Sequence, residues 1–172
     1  MTDAIHAIVA ADLGRADEAY WFTGRSSGGF LRGDFKQFTE ERAGGHAFTF
    51  ITGAGGFLQQ FLYGYSGLRW GVDAITLDPI MPRALEEIRL TGLQYQGSTF
   101  EVTIGRDTTQ VAVTAGRPLR LADGRTVQPG TPVNLPTRQC GAGGSRVSRP
   151  AASTGGSGCR PDVRPRRSAG RD

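Results

Sequence analysis

The sequence predicts an α+β chain: helices first, then a small antiparallel β-sandwich of jelly-roll type, then a disordered tail. Three observations carry this. Apolar residues recur at helical spacing in two segments ending near Tyr20 and Tyr65. From Leu68 onward the period changes to two, and turn signals separate the short runs. After Arg138 the composition turns to Gly, Ser, Arg and Pro with almost no large apolar residue, so that segment cannot offset its own ordering entropy.

The first helix is expected to start at a Thr2 or Asp3 cap and to run to Tyr20, with Ile5, Ile8, Val9, Leu13 and Tyr20 on its apolar face. Its many alanines make it a strong helix former and allow close packing. Residues 23–46 carry six glycines and the scattered aromatics Phe30, Phe35 and Phe38, which read as a long ordered loop. Loops of that length in compact domains are commonly functional.

A second helix is expected over about 54–65. Thr52 is a suitable N-cap, and Gly53, Gly55 and Gly56 let another group approach the backbone where the helix begins. Helix N-termini hold unpaired N–H groups and partial positive charge, so this start suits an anion or a polarised oxygen. It equally suits a glycine-tolerant helix start packed against a neighbouring helix. Phe57, Leu58, Phe61, Leu62, Tyr63 and Tyr65 leave that helix apolar on nearly every face. Such a helix needs burial on most sides, more than one partner helix supplies.

Candidate strands follow at Leu68–Gly71, Ala74–Leu77, Ile88–Tyr95, Thr99–Ile104, Gln110–Thr114, Leu119–Leu121 and Pro132–Leu135. Gln96-Gly97, Ala115-Gly116, Asp123-Gly124 and Pro129-Gly130 are among the turns between them. Short strands at this spacing suggest an antiparallel sandwich.

A chain of 172 residues can bury one ordinary core. The charge is uneven: residues 1–137 hold 12 Lys+Arg against 14 Asp+Glu, and residues 138–172 hold 8 Arg against 2 Asp. The basic excess belongs to the tail, so the high pI does not indicate a nucleic-acid surface on the folded part. Cys140 and Cys159 sit in the tail without Cys-x-x-Cys spacing or a nearby histidine, which argues against zinc. The N-terminus lacks the pattern of a signal peptide, and no stretch reaches the length of a membrane span. The compartment is not readable.

The wording of several segments then becomes informative. These are Thr52–Gln59, Gly64-Tyr65-Ser66-Gly67-Leu68-Arg69, and Asp73-Ala74-Ile75-Thr76-Leu77-Asp78-Pro79 followed by Pro82. Leu90-Thr91-Gly92-Leu93-Gln94-Tyr95-Gln96-Gly97 and Phe100-Glu101-Val102-Thr103-Ile104 follow. With these phrases the stretch from about Ala4 to Arg138 resembles the C-terminal end of glycoside hydrolase family 65, on its acid-trehalase-like and kojibiose-hydrolase-like branch.

The resemblance implies the last helices of an (α/α)6 barrel over residues 1–66, a C-terminal β-sandwich over 67–137, and a tail at 138–172 foreign to the family. Members are several times longer and cleave α-glucosides such as trehalose with inversion. An inverting pair is a general acid and a general base roughly 6.5–9.5 Å apart. By resemblance the acid lies upstream of this chain. The base falls in a Phe-x-x-aromatic-Ser/Thr-Glu phrase, here Phe35-Lys36-Gln37-Phe38-Thr39-Glu40. That nominates Glu40, with Glu41 as the alternative, and places Thr52, Gly53, Gly55 and Gly56 beside substrate or water. A solvated pair of loop glutamates near Lys36 and Arg42 fits the same residues.

The phosphorylase branch has a histidine at the glycine segment to help hold phosphate. The Phe57-Leu58-Gln59 found here favours water as the acceptor. The expected partners are therefore an α-glucoside disaccharide and the missing barrel portion of a parent protein, with no nucleic acid and no membrane. No cofactor and no metal are expected. Lacking the acid, the chain alone is expected to be inactive. A non-catalytic carbohydrate-binding or assembly module is the alternative. Trp21, Trp70 and Tyr63 have flat faces suited to sugars, though core packing is their ordinary role.

Overall fold

The structure is a computed structural model that describes residues 2–28, 30–32, 37–42 and 45–139. For residues 32, 37–38, 40–42 and 45–48 it describes the backbone alone. Cys140, Cys159 and the expected disordered tail, apart from Arg138 and Gln139, lie outside the described residues.

The helix expected to run from Thr2 to Tyr20 is two antiparallel helices, α1 (Thr2–Asp12) and α2 (Ala16–Gly28). Gly14 takes a φ of 79°, Gly14 N–H donates to Ala11 O at 2.9 Å, and Arg15 N–H donates to Ala10 O at 2.8 Å. This is a Schellman stop, which glycine adopts without the Cβ penalty. The buried faces differ from the expected one as well. Ala4, Ala7, Ala10 and Ala11 of α1 face Ala16, Ala19, Thr23 and Ser26 of α2 in the interior. Ile5, Val9 and Leu13 stay outside, each about half exposed. Small side chains let the helices approach closely, and that selects the alanine face.

The expected loop at 23–46 is also different. α2 continues to Gly28, and β1 (Leu31–Arg32), β2 (Gln37–Arg42) and β3 (Gly45–Thr49) form an antiparallel ladder in the order β1-β2-β3. Glu and Arg are poor strand formers and the segment lacks apolar alternation, so no period-two signal marks it.

α3 (Ile51–Gln59) passes into a π-helical segment, Gln60–Tyr65. Its cap is Phe50, with no side-chain capping bond, so Thr52 lies inside the first turn and is not the N-cap. The Phe50 ring covers the helix start where a Cβ on Gly53 would stand. Farther along, a Cβ on Gly56 would meet that of Ala4 at 3.5 Å, and one on Gly64 would meet Ile8 Cα at 3.3 Å. Thus α1 and α3 lie side by side, running the same way.

The β region follows the sequence reading closely. β4 (Arg69–Trp70) pairs with β5 (Ile75–Thr76). β6 (Ile88–Tyr95), β7 (Ser98–Ile104), β8 (Thr108–Gly116) and β11 (Val133–Pro136) form an antiparallel sheet ordered β11-β8-β7-β6. β9 (Leu119–Arg120) pairs with β10 (Thr126–Val127), a strand the sequence pattern does not reveal. Gln96 and Gly97, at φ 46° and 82°, make the tight β6–β7 turn.

On β7 every second residue is buried, and Phe100, Val102 and Ile104 meet Leu68, Ile75, Ile80, Leu119 and Val127 in one core. That core continues through Tyr65 into Ala11, Ala16 and Ala19 of the helical unit. Polar ties join the two parts at the end of α1. Arg69 donates two 2.9 Å bonds to the Asp12 carboxylate. Arg138 donates to Ala11 O at 3.0 Å and Asp12 O at 3.3 Å while pairing with Asp78 at 2.8 Å.

Candidate functional site

At one end of the helical unit the start of α1, the end of α2, the β1–β3 ladder and the start of α3 come together. β2 runs beside α3. Thr39 N–H donates to Phe30 O at 2.9 Å, and the Phe30 ring packs against that of Phe50 with centroids 5.1 Å apart. Phe50 in turn covers Gly53. An aromatic link therefore ties the strand bearing the candidate glutamates to the glycine-rich helix start.

In the β2–β3 register Glu40 stands opposite Phe48 and Glu41 opposite His46, with an irregularity between the two pairs. The side chains of Glu40, Glu41 and His46 lie outside the described ones. The glycine segment divides by role. Gly53 is buried under Phe50 and Gly56 packs on Ala4, as the close-packing reading expects. Thr52 and Gly55 face outward on the first turns of α3, and a Cβ at Gly55 would meet open space.

Behind this end lies a polar ladder not foreseen from sequence. Tyr65 Oη, buried, donates to Thr23 Oγ1 at 2.7 Å, and Thr23 Oγ1 donates to Ala19 O at 3.0 Å. Ser26 Oγ donates to Thr23 O at 2.8 Å and accepts from Gln60 Nε2 at 2.8 Å. The ladder sets the register of α2 against the π-helical segment. Burial pushes the Tyr65 phenol up to about 12, against the smaller opposing effect of its bond to Thr23. A buried phenol pays the loss of hydration mainly in its charged form.

Along the outer side of α2 runs an open cleft of about 1090 Å³. Tyr20 and Trp21 line it, with Arg25 and Asp3 at one end and Asp17 and Arg83 at the other. The Arg25 guanidinium lies 4.8 Å from the Trp21 ring centroid and bonds Asp3 at 3.3 Å. Arg83 holds Asp17 through its backbone N–H at 2.9 Å and its Nε at 2.6 Å. Trp21 and Trp70 are both partly exposed, and Tyr63 is half-buried. Trp70 stacks on Tyr95 at 5.8 Å. His6 packs against Phe22 at 5.1 Å. Among the described residues no His, Cys, Asp or Glu cluster could hold a metal, and no helix is long and apolar enough to cross a membrane.

Residues 68–128 of the chain match the family model described as glycosyl hydrolase family 65, C-terminal domain. The relatives of the chain are glycosidases by name. The chain is 38% identical over 80 residues to protein-glucosylgalactosylhydroxylysine glucosidase of Gallus gallus, covering 46% of this chain and 11% of that protein. It is 35% identical over 124 residues to a cell wall acid trehalase of Candida albicans, covering 60% and 11%. With kojibiose hydrolase of Mucilaginibacter mallensis it shares 32% over 103 residues, covering 59% and 15%. The chain thus spans only 11% to 15% of the length of these three relatives. A solved human-microbiome protein assigned as a kojibiose phosphorylase superposes with a TM-score of 0.56 at 14% identity, over 78% of this chain and 18% of that one. That likeness concerns the fold.

Proposed function

We propose that this chain forms the C-terminal part of an inverting α-glucoside hydrolase, carrying the general base on β2 and depending on a separate part of the enzyme for the general acid. In this reading residues 1–66 close the catalytic barrel, residues 67–137 are the C-terminal sandwich, and residues 138–172 are an appended tail. The observation that carries it is the family 65 match over residues 68–128, continuous in one core with the helical unit that holds the glycine segment.

Glu40 takes the proton of a water molecule as that water attacks the anomeric carbon, and Glu41 is the alternative base. The acid protonates the leaving oxygen from the opposite face of the sugar, roughly 6.5–9.5 Å away. The outward-facing Thr52 and Gly55, on the N–H-rich first turns of α3, hold a sugar hydroxyl or the attacking water. Two relatives are named for trehalose and kojibiose hydrolysis, which supports a glucosyl disaccharide as substrate. The absence of a histidine in the run from Thr52 to Gln60 favours water over phosphate.

The test is a chimera in which residues 1–139 replace the matching end of the Mucilaginibacter kojibiose hydrolase, assayed on kojibiose and trehalose. Glu40→Gln is expected to lower kcat by on the order of 10²–10⁴ with the fold retained, whereas Glu41→Gln leaves it nearly unchanged. An active chimera indifferent to both substitutions would refute the base assignment.

A further inference from the structure

We infer that the cleft along α2 is a binding subsite for a neutral saccharide, with Trp21 as its stacking platform. The inference rests on the α-glucoside reading for the class of ligand, and on the cleft itself for the location.

The charges decide what kind of ligand fits. Each cation lining the cleft is already answered by a carboxylate: Arg25 by Asp3, and Arg83 by Asp17. An anionic or cationic ligand would therefore have to break an ion pair to gain one. A neutral molecule with many hydroxyls can add hydrogen bonds to the Asp3–Arg25 pair without separating it. Between the pairs the lining is aromatic.

The ring face of a pyranose is apolar and its rim is polar, and the cleft has the same arrangement: apolar rings in the middle and charged pairs at both ends. Trp21 is 48% exposed, although Arg25 covers one of its faces and the Phe22 ring packs edge-on at 4.9 Å. The indole is thus held in place while part of its surface stays open, so stacking a ligand costs little side-chain entropy. Tyr20 adds a phenol beside it, 38% of the residue being exposed. The space, about 1090 Å³, is ample for a disaccharide. Phe30, the residue before β1, lines the same cleft as Asp3 and Arg25.

Fluorescence provides the test, because the chain has two tryptophans. Trehalose and kojibiose are titrated into the intact chain, Trp21→Phe and Trp70→Phe, with sorbitol as an acyclic polyol control and circular dichroism as the check on folding. A saturable change in emission is expected from the intact chain and from Trp70→Phe, and its loss in Trp21→Phe. Tyr20→Phe and Asp3→Asn each weaken the apparent affinity several-fold with emission otherwise unaltered. A response that survives Trp21→Phe, that sorbitol reproduces, or that never appears with folded protein overturns the inference. Binding needs no turnover, so the two readings fail separately. Saccharide binding at Trp21 with no effect of Glu40→Gln in the chimera removes only the catalytic reading. A chimera that needs Glu40 but shows no Trp21 response removes only the cleft.

Discussion

Raising the pH through the range in which tyrosine ionises should destabilise this protein by way of one residue, Tyr65. Tyr65 is 1% exposed and its phenol is pushed from the ordinary value near 10 up to about 12. In the unfolded chain it ionises at the ordinary value. Below pH 10 both states hold the proton and the full contribution of the buried neutral phenol is present. Between pH 10 and 12 the unfolded state loses its proton while the folded state keeps it, so stability falls as pH rises. Two pKa units correspond to roughly 3 kcal/mol, a large share of a typical stability of roughly 5–15 kcal/mol.

The window is unusually clean, because Lys36 is the only lysine in the sequence. Urea unfolding followed by circular dichroism at a series of pH values should show a midpoint that declines from pH 10 to pH 12. Tyr65→Phe should flatten that decline. It should also cost about 0.5–1.5 kcal/mol at neutral pH, through the lost bond to Thr23. A decline of unchanged depth in Tyr65→Phe would refute the assignment.

Other outcomes follow from packing. Gly55→Ala fills open space in a helix and should raise stability by about 0.5–1 kcal/mol, yet lower activity in the chimera if Gly55 faces the sugar. Gly53→Ala should instead destabilise, measurably by thermal melting, because the Phe50 ring must move. Arg138→Ala removes the cation from the carbonyl end of α1 and its pairing with Asp78. A loss of about 1–2 kcal/mol is expected, and added salt should narrow the gap between variant and parent. Ile5→Lys with Val9→Lys should reduce dye binding and aggregation of the chain without lowering its melting temperature, since both side chains face outward.

The β region was legible because its rules are local. Strand Ile88–Tyr95 has the predicted ends, and the Gln96-Gly97 turn adopts the positive φ values its residues favour. The hairpin at Gln37–Thr49 was not legible, since its charged residues carry no alternating apolar signal. The first helix misled for a different reason. Its Ile5, Val9 and Leu13 make the stronger apolar stripe, but the alanine face is the one that packs.

The candidate site shows the same division. The phrases at Thr52–Gln59 and Asp73–Pro79 are local features of the chain, and the resemblance they carry needs no tertiary structure. Only tertiary structure separated Gly53 and Gly56, which accommodate Phe50 and Ala4, from Gly55, which is open. Only tertiary structure assembled Tyr65, Thr23, Ser26 and Gln60 into one ladder, and set Trp21 between two ion pairs. Residue spacing determines turns and periods because these depend on neighbours along the chain. Which face is buried, and which polar groups meet, depends on how closely distant segments can approach, and that is decided by the size and shape of both partners together.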